Sequence, residues 1–114
     1  MSIYESKFWL KNYDWKTDTT LRYPKFPAYS LLRNASTYQP NKAATWFYGA
    51  EITFNELYQK CTRLANVLVE NGVKKGDRVG ILLPNCPQFV IAYWAINMAG
   101  GIIVNINPLY TKEE

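Results

Sequence analysis

The residues best placed to do chemistry lie in the stretch GILLPNCPQF, residues 80–89, where a thiol sits in a turn between two prolines. A nucleophilic Cys86 would need a lowered pKa, which a helix N-terminus helps to supply, and a neighbouring base or cation. The chain has no histidine to act as that base. In contrast, Asn85 as the N-cap and Pro87 in the first helical turn would form an ordinary helix start. The sequence therefore favours a structural turn over a reactive thiol.

The same strand-to-helix turn is a poor phosphate site. Phosphate-binding loops use glycines so that backbone N–H groups can approach the ligand, whereas Pro84 and Pro87 carry no N–H. The six glycines match neither common phosphate-loop pattern, and Asp77 is the one acid that the pattern fixes in a turn. Two cysteines without histidine cannot complete a common zinc site. We expect no catalytic, cofactor-binding or metal-binding residue in this chain.

The elements around the turn have clear signals. A helix is predicted over 28–38, with Leu31, Leu32 and Ala35 on one face. A small β-hairpin follows, with strands 44–48 and 51–53 around a turn at Gly49-Ala50. Thr53 and Glu56 form a capping box that starts the next helix, and Gly72 ends it. The apolar stripe of that helix includes Cys61, which we interpret as a small core residue.

The last third of the chain predicts a βαβ unit. Strands are expected over 78–83 and 102–106, and a helix over 88–99 between them, with a right-handed crossover. Both strands are almost continuously apolar, which is typical of strands buried on both faces of a parallel sheet. The fold class is therefore α/β, with the βαβ parallel-sheet unit, the hairpin and an irregular N-terminal arm.

That arm, residues 1–27, mixes aromatic and basic residues without a clear period and is predicted as a separate segment before the domain at 28–114. Its aromatic side chains could pack on the chain's own domain, on a partner subunit, or at a membrane interface. The residues concerned are Tyr4, Phe8, Trp9, Tyr13, Trp15, Tyr23 and Phe26, interleaved with Lys7, Lys11, Lys16, Arg22 and Lys25.

Composition limits the remaining classes. The 114 residues carry 13 basic and 9 acidic side chains, a net charge of +4, but the basic residues are scattered, which disfavours nucleic acid as a partner. Two cysteines and no secretory signal fit a cytoplasmic protein. No charge falls between Arg78 and Lys112, yet the prolines and Gly100-Gly101 leave a helix of only about 18 Å, too short for a ~30 Å bilayer core.

Taken together, the stretches TFNEL, GDRVGILLPNCPQF and AGGIIVNINPLYT resemble the early part of adenylate-forming acyl-CoA synthetases. The entry WFYGAEITFNEL and the PLYT ending are most similar to the long-chain fatty acid branch, and the resemblance covers about residues 40–114. It implies a ligase that forms an acyl-adenylate from ATP with Mg²⁺ and then transfers the acyl group to coenzyme A. The family's phosphate loop, adenylate motif, ribose-binding aspartate and C-terminal lysine have no counterpart in these residues.

Thr111-Lys-Glu-Glu114 is a second capping-box pattern with no helix after it, which favours a fragment cut as a further element begins. We therefore expect the fragment to be inactive alone and to bind no ATP, Mg²⁺ or coenzyme A. The alternative is a stand-alone interaction or oligomerisation module. Strands left uncovered would favour self-association through an edge strand or the arm. Peripheral membrane association is a further option for the arm.

Overall fold

The computed structural model describes residues 2–113. Two short helical turns open the chain, α1 (Ile3–Ser6) and a 3₁₀ turn (Phe8–Asn12). The remaining helices are α2 (Ser30–Tyr38), α3 (Phe54–Glu70) and α4 (Pro87–Met98). The strands are β1 (Ala43–Phe47), β2 (Ala50–Thr53), β3 (Arg78–Ile81) and β4 (Ile102–Asn105).

Helix α3 is the centre of the fold, and its predicted boundaries are confirmed. The Thr53 hydroxyl accepts the Glu56 N–H at 3.2 Å, and Glu56 accepts the Thr53 N–H at 2.9 Å, which completes the capping box. At the other end Gly72 takes a φ of 95°, a left-handed conformation that favours glycine. The N–H of Val73 then reaches the carbonyl of Leu68 at 3.0 Å, so the helix ends in a Schellman motif.

The core lies where α3 meets α2, α4 and the hairpin. Leu57 and Cys61 of α3 and Leu32 of α2 form a buried cluster, which confirms that Cys61 is a core residue. Partly buried apolar residues surround this cluster: Ala44, Ile52, Phe54, Tyr58, Val90, Ile91, Trp94 and Met98. The hairpin therefore contributes to the same core as the helices.

Helix α2 differs from its prediction in its start and in its buried face. It begins at Ser30 rather than Ala28, because the N–H groups of Ser30 and Leu31 close tight turns on the carbonyls of Pro27 and Ala28, both at 3.0 Å. Leu32 is 4% exposed, whereas Leu31 is 58% exposed. Neighbouring residues on a helix lie about 100° apart, and here Leu32 is the one that points into the core.

The hairpin turn lies one residue earlier than predicted. β1 and β2 pair antiparallel, Phe47 opposite Ala50, so that Tyr48 and Gly49 form a two-residue turn. Both turn residues have positive φ, 49° and 86°, as in the type I′ turn whose twist matches the flanking strands. The predicted turn at Gly49-Ala50 was wrong because Ala50 is already paired in β2.

The predicted βαβ unit is confirmed as a parallel pair, β3 beside β4, connected through α4. Arg78 lies opposite Ile102 and Ile81 opposite Asn105. The two strands form a sheet separate from the hairpin. The right-handed crossover stays a prediction.

In the described residues these strands are buried on one face only. Ile81 is 3% exposed, but Ile102 is 48% and Val104 37% exposed. Alternate residues along a strand point to opposite faces, so one face of the pair packs on α4 and the other stays open. β3 also ends at Ile81, two residues earlier than predicted, and Leu82 and Leu83 lie beyond it on the surface.

The arm carries two helical turns and is otherwise irregular. Trp9 and Leu10 are half-buried, but the other aromatic side chains of the arm are exposed, with Trp15 at 87%. Most aromatic side chains of the arm therefore do not pack on the chain's own domain. The helix start predicted at Thr111 depends on Glu114, which lies outside the described residues.

Candidate functional site

The carboxyl ends of β3 and β4 bring two segments together at one edge of the parallel sheet, the edge at which open α/β folds bind ligands. The turn 82–86 follows β3, and the segment 106–110 follows β4. The Ile106 N–H donates to the carbonyl of Ile81, the last residue of β3, at 2.9 Å, so the second segment starts beside the end of β3. This edge is the candidate functional site.

The turn after β3 starts α4 differently from the prediction. The N-cap is Cys86, with φ −149° and ψ 165°, and Pro87 is the first helical residue. A proline disfavours a helical conformation at the residue before it, so Cys86 is extended and becomes the cap. Asn85 as N-cap was therefore wrong. The Cys86 side chain makes no capping hydrogen bond, although its carbonyl accepts the Phe89 N–H at 3.0 Å.

Cys86 opens onto a groove of about 270 Å³ between the hairpin and the start of α4. The groove wall is mainly apolar, from Trp46 and Phe47 on one side and Phe89 and Val90 on the other. No histidine exists in the chain to serve as a base for the thiol. The groove therefore offers apolar contact, and the structural role of Cys86 stays a prediction.

The hairpin side of this groove was missed by sequence reasoning. Thr45, Trp46 and Phe47 line it, yet strand periodicity only says which residues share a face, not which helix they meet. The Thr45 hydroxyl is buried there without a hydrogen-bond partner. The single available signal was the aromatic content of the strand, which is high for so short an element.

Cys61, the other thiol, is unsuited to chemistry. It is fully buried in the core, and burial raises the pKa of its thiol to about 12. A thiol with that pKa is protonated at neutral pH and is a poor nucleophile. Both cysteines are free, so no disulfide joins them.

The two acids singled out by the sequence are used by the backbone. An Asp77 carboxylate oxygen accepts the Lys74 N–H at 2.8 Å, which fixes the turn before β3. Glu56 accepts hydrogen bonds from the backbone and hydroxyl of Thr53, and these bonds lower the pKa of Glu56. Within residues 2–113, no group of three or more His, Cys, Asp or Glu side chains could hold a metal ion.

The phosphate interpretation meets the same obstacle in the structure as in the sequence. Pro87 occupies the first position of α4, where a backbone N–H would otherwise point at an anion. This edge of the sheet is therefore a packed turn beside an apolar groove.

Across the part of the chain that the structure describes, no helix is long and apolar enough to cross a membrane.

Comparison with known proteins gives consistent results. The family profile described as "AMP-binding enzyme" matches residues 32–114. The long-chain-fatty-acid–CoA ligase of Bacillus subtilis is 43% identical over 108 residues, which is 95% of this chain and 19% of the relative. The chain thus spans about one fifth of the length of the curated relatives it matches.

Solved structures agree on the fold. The N-terminal subdomain of NpsA from Klebsiella oxytoca, in complex with anthranilyl-AMSN, superposes with a TM-score of 0.74 at 29% identity, covering 76% of this chain and 23% of that one. The anthranilate CoA ligase AuaEII in complex with anthranoyl-AMP superposes with a TM-score of 0.71 at 28% identity, covering 75% and 16%. Similarity extends over most of the present chain and a minor part of each solved one.

Proposed function

The chain belongs to the AMP-binding enzyme family, and from that premise we propose that it is the leading part of an ATP-dependent long-chain fatty acid–CoA ligase. The observation that carries the proposal is the 43% identity to a curated long-chain-fatty-acid–CoA ligase across 95% of the chain. The superposition on an anthranilate CoA ligase holding anthranoyl-AMP supports the adenylate chemistry.

The proposed reaction has two steps. The fatty acid carboxylate attacks the α-phosphorus of ATP, forming the acyl-adenylate and releasing pyrophosphate. The thiol of coenzyme A then attacks the acyl carbon, and AMP leaves as the thioester forms. ATP, the fatty acid and coenzyme A are the substrates in this proposal.

We propose that residues 1–114 contribute architecture rather than catalytic groups. Cys61 is buried, Asp77 and Glu56 hold backbone turns, and Cys86 has no histidine to act as its base. Asp77 and Glu56 accept hydrogen bonds from the backbone, and we assign no Mg²⁺ ligand to this chain. No step of the reaction is therefore assigned to a residue of this chain.

We propose that the chain has two parts. Residues 28–114 form the leading part of the AMP-binding domain, and residues 1–27 form an aromatic and basic arm outside it. The open face of β4, with Ile102 48% and Val104 37% exposed, needs a second layer, since parallel sheets are normally covered on both faces. In the complete ligase we assign that cover to the remaining four fifths of the protein.

A second function, a stand-alone interaction module, is favoured by that same uncovered face. Exposed strand edges and apolar surface promote pairing between chains, so purified 1–114 is expected to self-associate through the β3–β4 sheet. Light scattering that shows a monomer at high micromolar concentration would contradict this expectation. For either function we place the protein in the cytoplasm, consistent with two free thiols.

The test of the proposed function is product formation by the complete reading frame that contains these 114 codons. Purified product is incubated with ATP, Mg²⁺, coenzyme A and fatty acids of increasing chain length, and acyl-CoA is measured by chromatography. We expect acyl-CoA together with equal amounts of AMP and pyrophosphate. The rate of acyl-CoA formation should be highest for long-chain fatty acids. A reading frame that ends at Glu114 would favour the stand-alone interaction module. Acyl-CoA formation confined to other acids would contradict a long-chain fatty acid as the substrate.

A further inference from the structure

The tip of the β1–β2 hairpin carries a run of exposed aromatic side chains. Tyr48 is 91% and Trp46 69% exposed, and Phe47 between them is 38% exposed. The rings of Phe47 and Tyr48 lie edge to face, with their centres 4.6 Å apart. Contiguous exposed apolar surface of this kind marks a site of contact with another molecule.

The backbone at Tyr48 is a second sign that its ring is used. Tyr48 is the first residue of the two-residue turn and has a φ of 49°. Such a left-handed φ is uncommon for a bulky residue, and asparagine or glycine is the ordinary choice at this position of a type I′ turn. The turn therefore holds a large ring in solvent at a cost in backbone energy. Backbone conformations of this unfavourable kind are concentrated at functional positions.

A recess suited to an aromatic ring lies beside this tip. The groove of about 270 Å³ between the hairpin and the start of α4 is bounded by Trp46, Phe47, Phe89 and Val90. A cavity of about 150 Å³ is enough to hold a benzene ring, so the groove has room for a tyrosine side chain. Ring and groove lie side by side on one surface, so two copies related by a twofold axis can each place Tyr48 in the groove of the other.

Charge favours a second copy of the chain as the occupant. Residues 43–50 of the hairpin contain no charged side chain, and none lies between Arg78 and Lys112, the range that includes all of α4. Glu51, opposite Trp46 in the hairpin, borders this uncharged surface. Two copies therefore meet without like charges at the centre of the contact, whereas a strongly acidic or basic partner finds no complementary group there.

The available area is that of a weak, reversible dimer. Tyr93 extends the surface along α4, because its ring stacks on that of Phe89 at 6.4 Å and is 37% exposed. At the ~150–250 Å² that one large aromatic side chain can bury, the exposed fractions of Tyr93 and of the three hairpin aromatics come to roughly 500 Å² per copy. Two copies thus bury about 1,000 Å², which is the lower limit for a specific interface.

We propose that two copies of the protein associate through this aromatic hairpin surface, with Tyr48 of each copy seated in the groove of the other. The surface consists of Trp46, Phe47, Tyr48, Phe89 and Tyr93. The hairpin belongs to a sheet separate from β3 and β4, so this contact differs from pairing through the β3–β4 sheet. The association goes beyond the proposed ligase activity and does not depend on it.

The contact is tested by photo-cross-linking in the product of the complete reading frame, with p-benzoylphenylalanine placed at position 48. Unlabelled and isotope-labelled copies are mixed and irradiated, and the cross-linked peptides are identified by mass spectrometry. We expect peptides that join position 48 of one copy to residues 85–90 of a differently labelled copy. Cross-links confined to one copy would overturn the proposal in favour of another part of the same chain as the occupant. Cross-links to a second copy outside the groove, or none at all, would also overturn it.

Sedimentation velocity of the same protein, without the cross-linker, measures the dissociation constant of the dimer. Tyr48→Asn removes the ring and places the preferred Asn-Gly pair in the turn, so the variant should fold at least as well as the parent. Its dissociation constant should rise about a hundredfold, at about tenfold for each of the two rings lost.

Tyr38→Asn is the matched control, since Tyr38 is 81% exposed at the end of α2 and lies outside the aromatic hairpin surface. This variant should dimerise as the parent does. A monomeric parent, or a dissociation constant that changes equally in the two variants, would overturn the proposal.

Discussion

Replacing Leu32 by alanine is expected to destabilise the chain by about 3 kcal/mol, within the range measured for buried leucines. Leu32 is 4% exposed and lies against Leu57 and Cys61, two side chains of a different helix. Because α2 meets α3 at this point, the cavity cannot close without moving one helix on the other. The lost stability therefore includes both the transfer free energy of the removed side-chain atoms and the cost of the cavity left behind.

Leu31→Ala is the matched control, since it removes the same atoms from the next position of the same helix. Leu31 is 58% exposed, so the loss should be about 1 kcal/mol or less. Equilibrium unfolding in urea, followed by tryptophan fluorescence, measures both changes. Trp94 is a suitable reporter because it packs against the same cluster.

At an m-value of roughly 1.5 kcal/mol/M for a chain of this size, the Leu32 variant should shift its midpoint by about 2 M urea. The Leu31 variant should shift by well under 1 M. Similar shifts in the two variants would refute the assigned orientation of α2. A larger loss at Leu31 would mean that the helix presents its other face to the core.

Three further predictions follow from single contacts. Gly101→Ala should destabilise the chain by about 1–3 kcal/mol in urea unfolding, because the new Cβ would lie 2.9 Å from a buried isoleucine of α4. Gly80→Ala is the control and should cost less, because its Cβ meets only the flexible tip of a half-exposed side chain. A larger loss for Gly80→Ala than for Gly101→Ala would contradict this packing. In the native protein a thiol reagent should label Cys86 and leave Cys61 unlabelled until urea is added, since Cys61 is fully buried and its pKa is about 12. Equal labelling rates for the two thiols would refute this. Glu56 has a folded pKa below its ordinary value of 4.5, so its stabilising effect is present above that value and is lost as pH falls through the folded pKa. Glu56→Gln should therefore reduce the loss of stability on the acid side. An unchanged dependence of stability on pH would count against the capping box.

Local chemistry determined what the sequence could predict. The start and end of α3 depend on Thr53, Glu56 and Gly72, which act within a few residues of each other, and the predicted boundaries were confirmed. The parallel strands around α4 were likewise predicted from apolar runs separated by breaks. These signals depend on neighbours along the chain, so one sequence contains them.

The N-cap of α4 and the hairpin turn were predicted one residue away from their observed positions, because two local preferences compete at each place. Asn85 is the better capping residue by type, but Pro87 forces the residue before it to be extended, so the cap moves to Cys86. The hairpin turn similarly moved by one residue, because Gly49 serves better as the second turn residue than as the first. Each shift is one residue long and follows from a backbone constraint that outweighs a side-chain preference.

The groove beside Cys86 was beyond sequence reasoning for a different reason. It forms where Trp46 and Phe47 of the hairpin approach Phe89 of α4, more than 40 positions later in the chain. Periodicity assigns residues to faces but does not say which faces meet. The apolar strands have a related limit, because an apolar strand indicates that cover is needed without saying what provides it.

We propose that these 114 residues are an architectural part of a ligase whose reacting groups lie elsewhere in the protein. Pyrophosphate release tests it most directly, measured side by side for purified 1–114 and for the product of the complete reading frame, each with ATP, Mg²⁺ and a long-chain fatty acid. We expect release by the complete protein and none above background by 1–114. Release by 1–114 that depends on the fatty acid would contradict it.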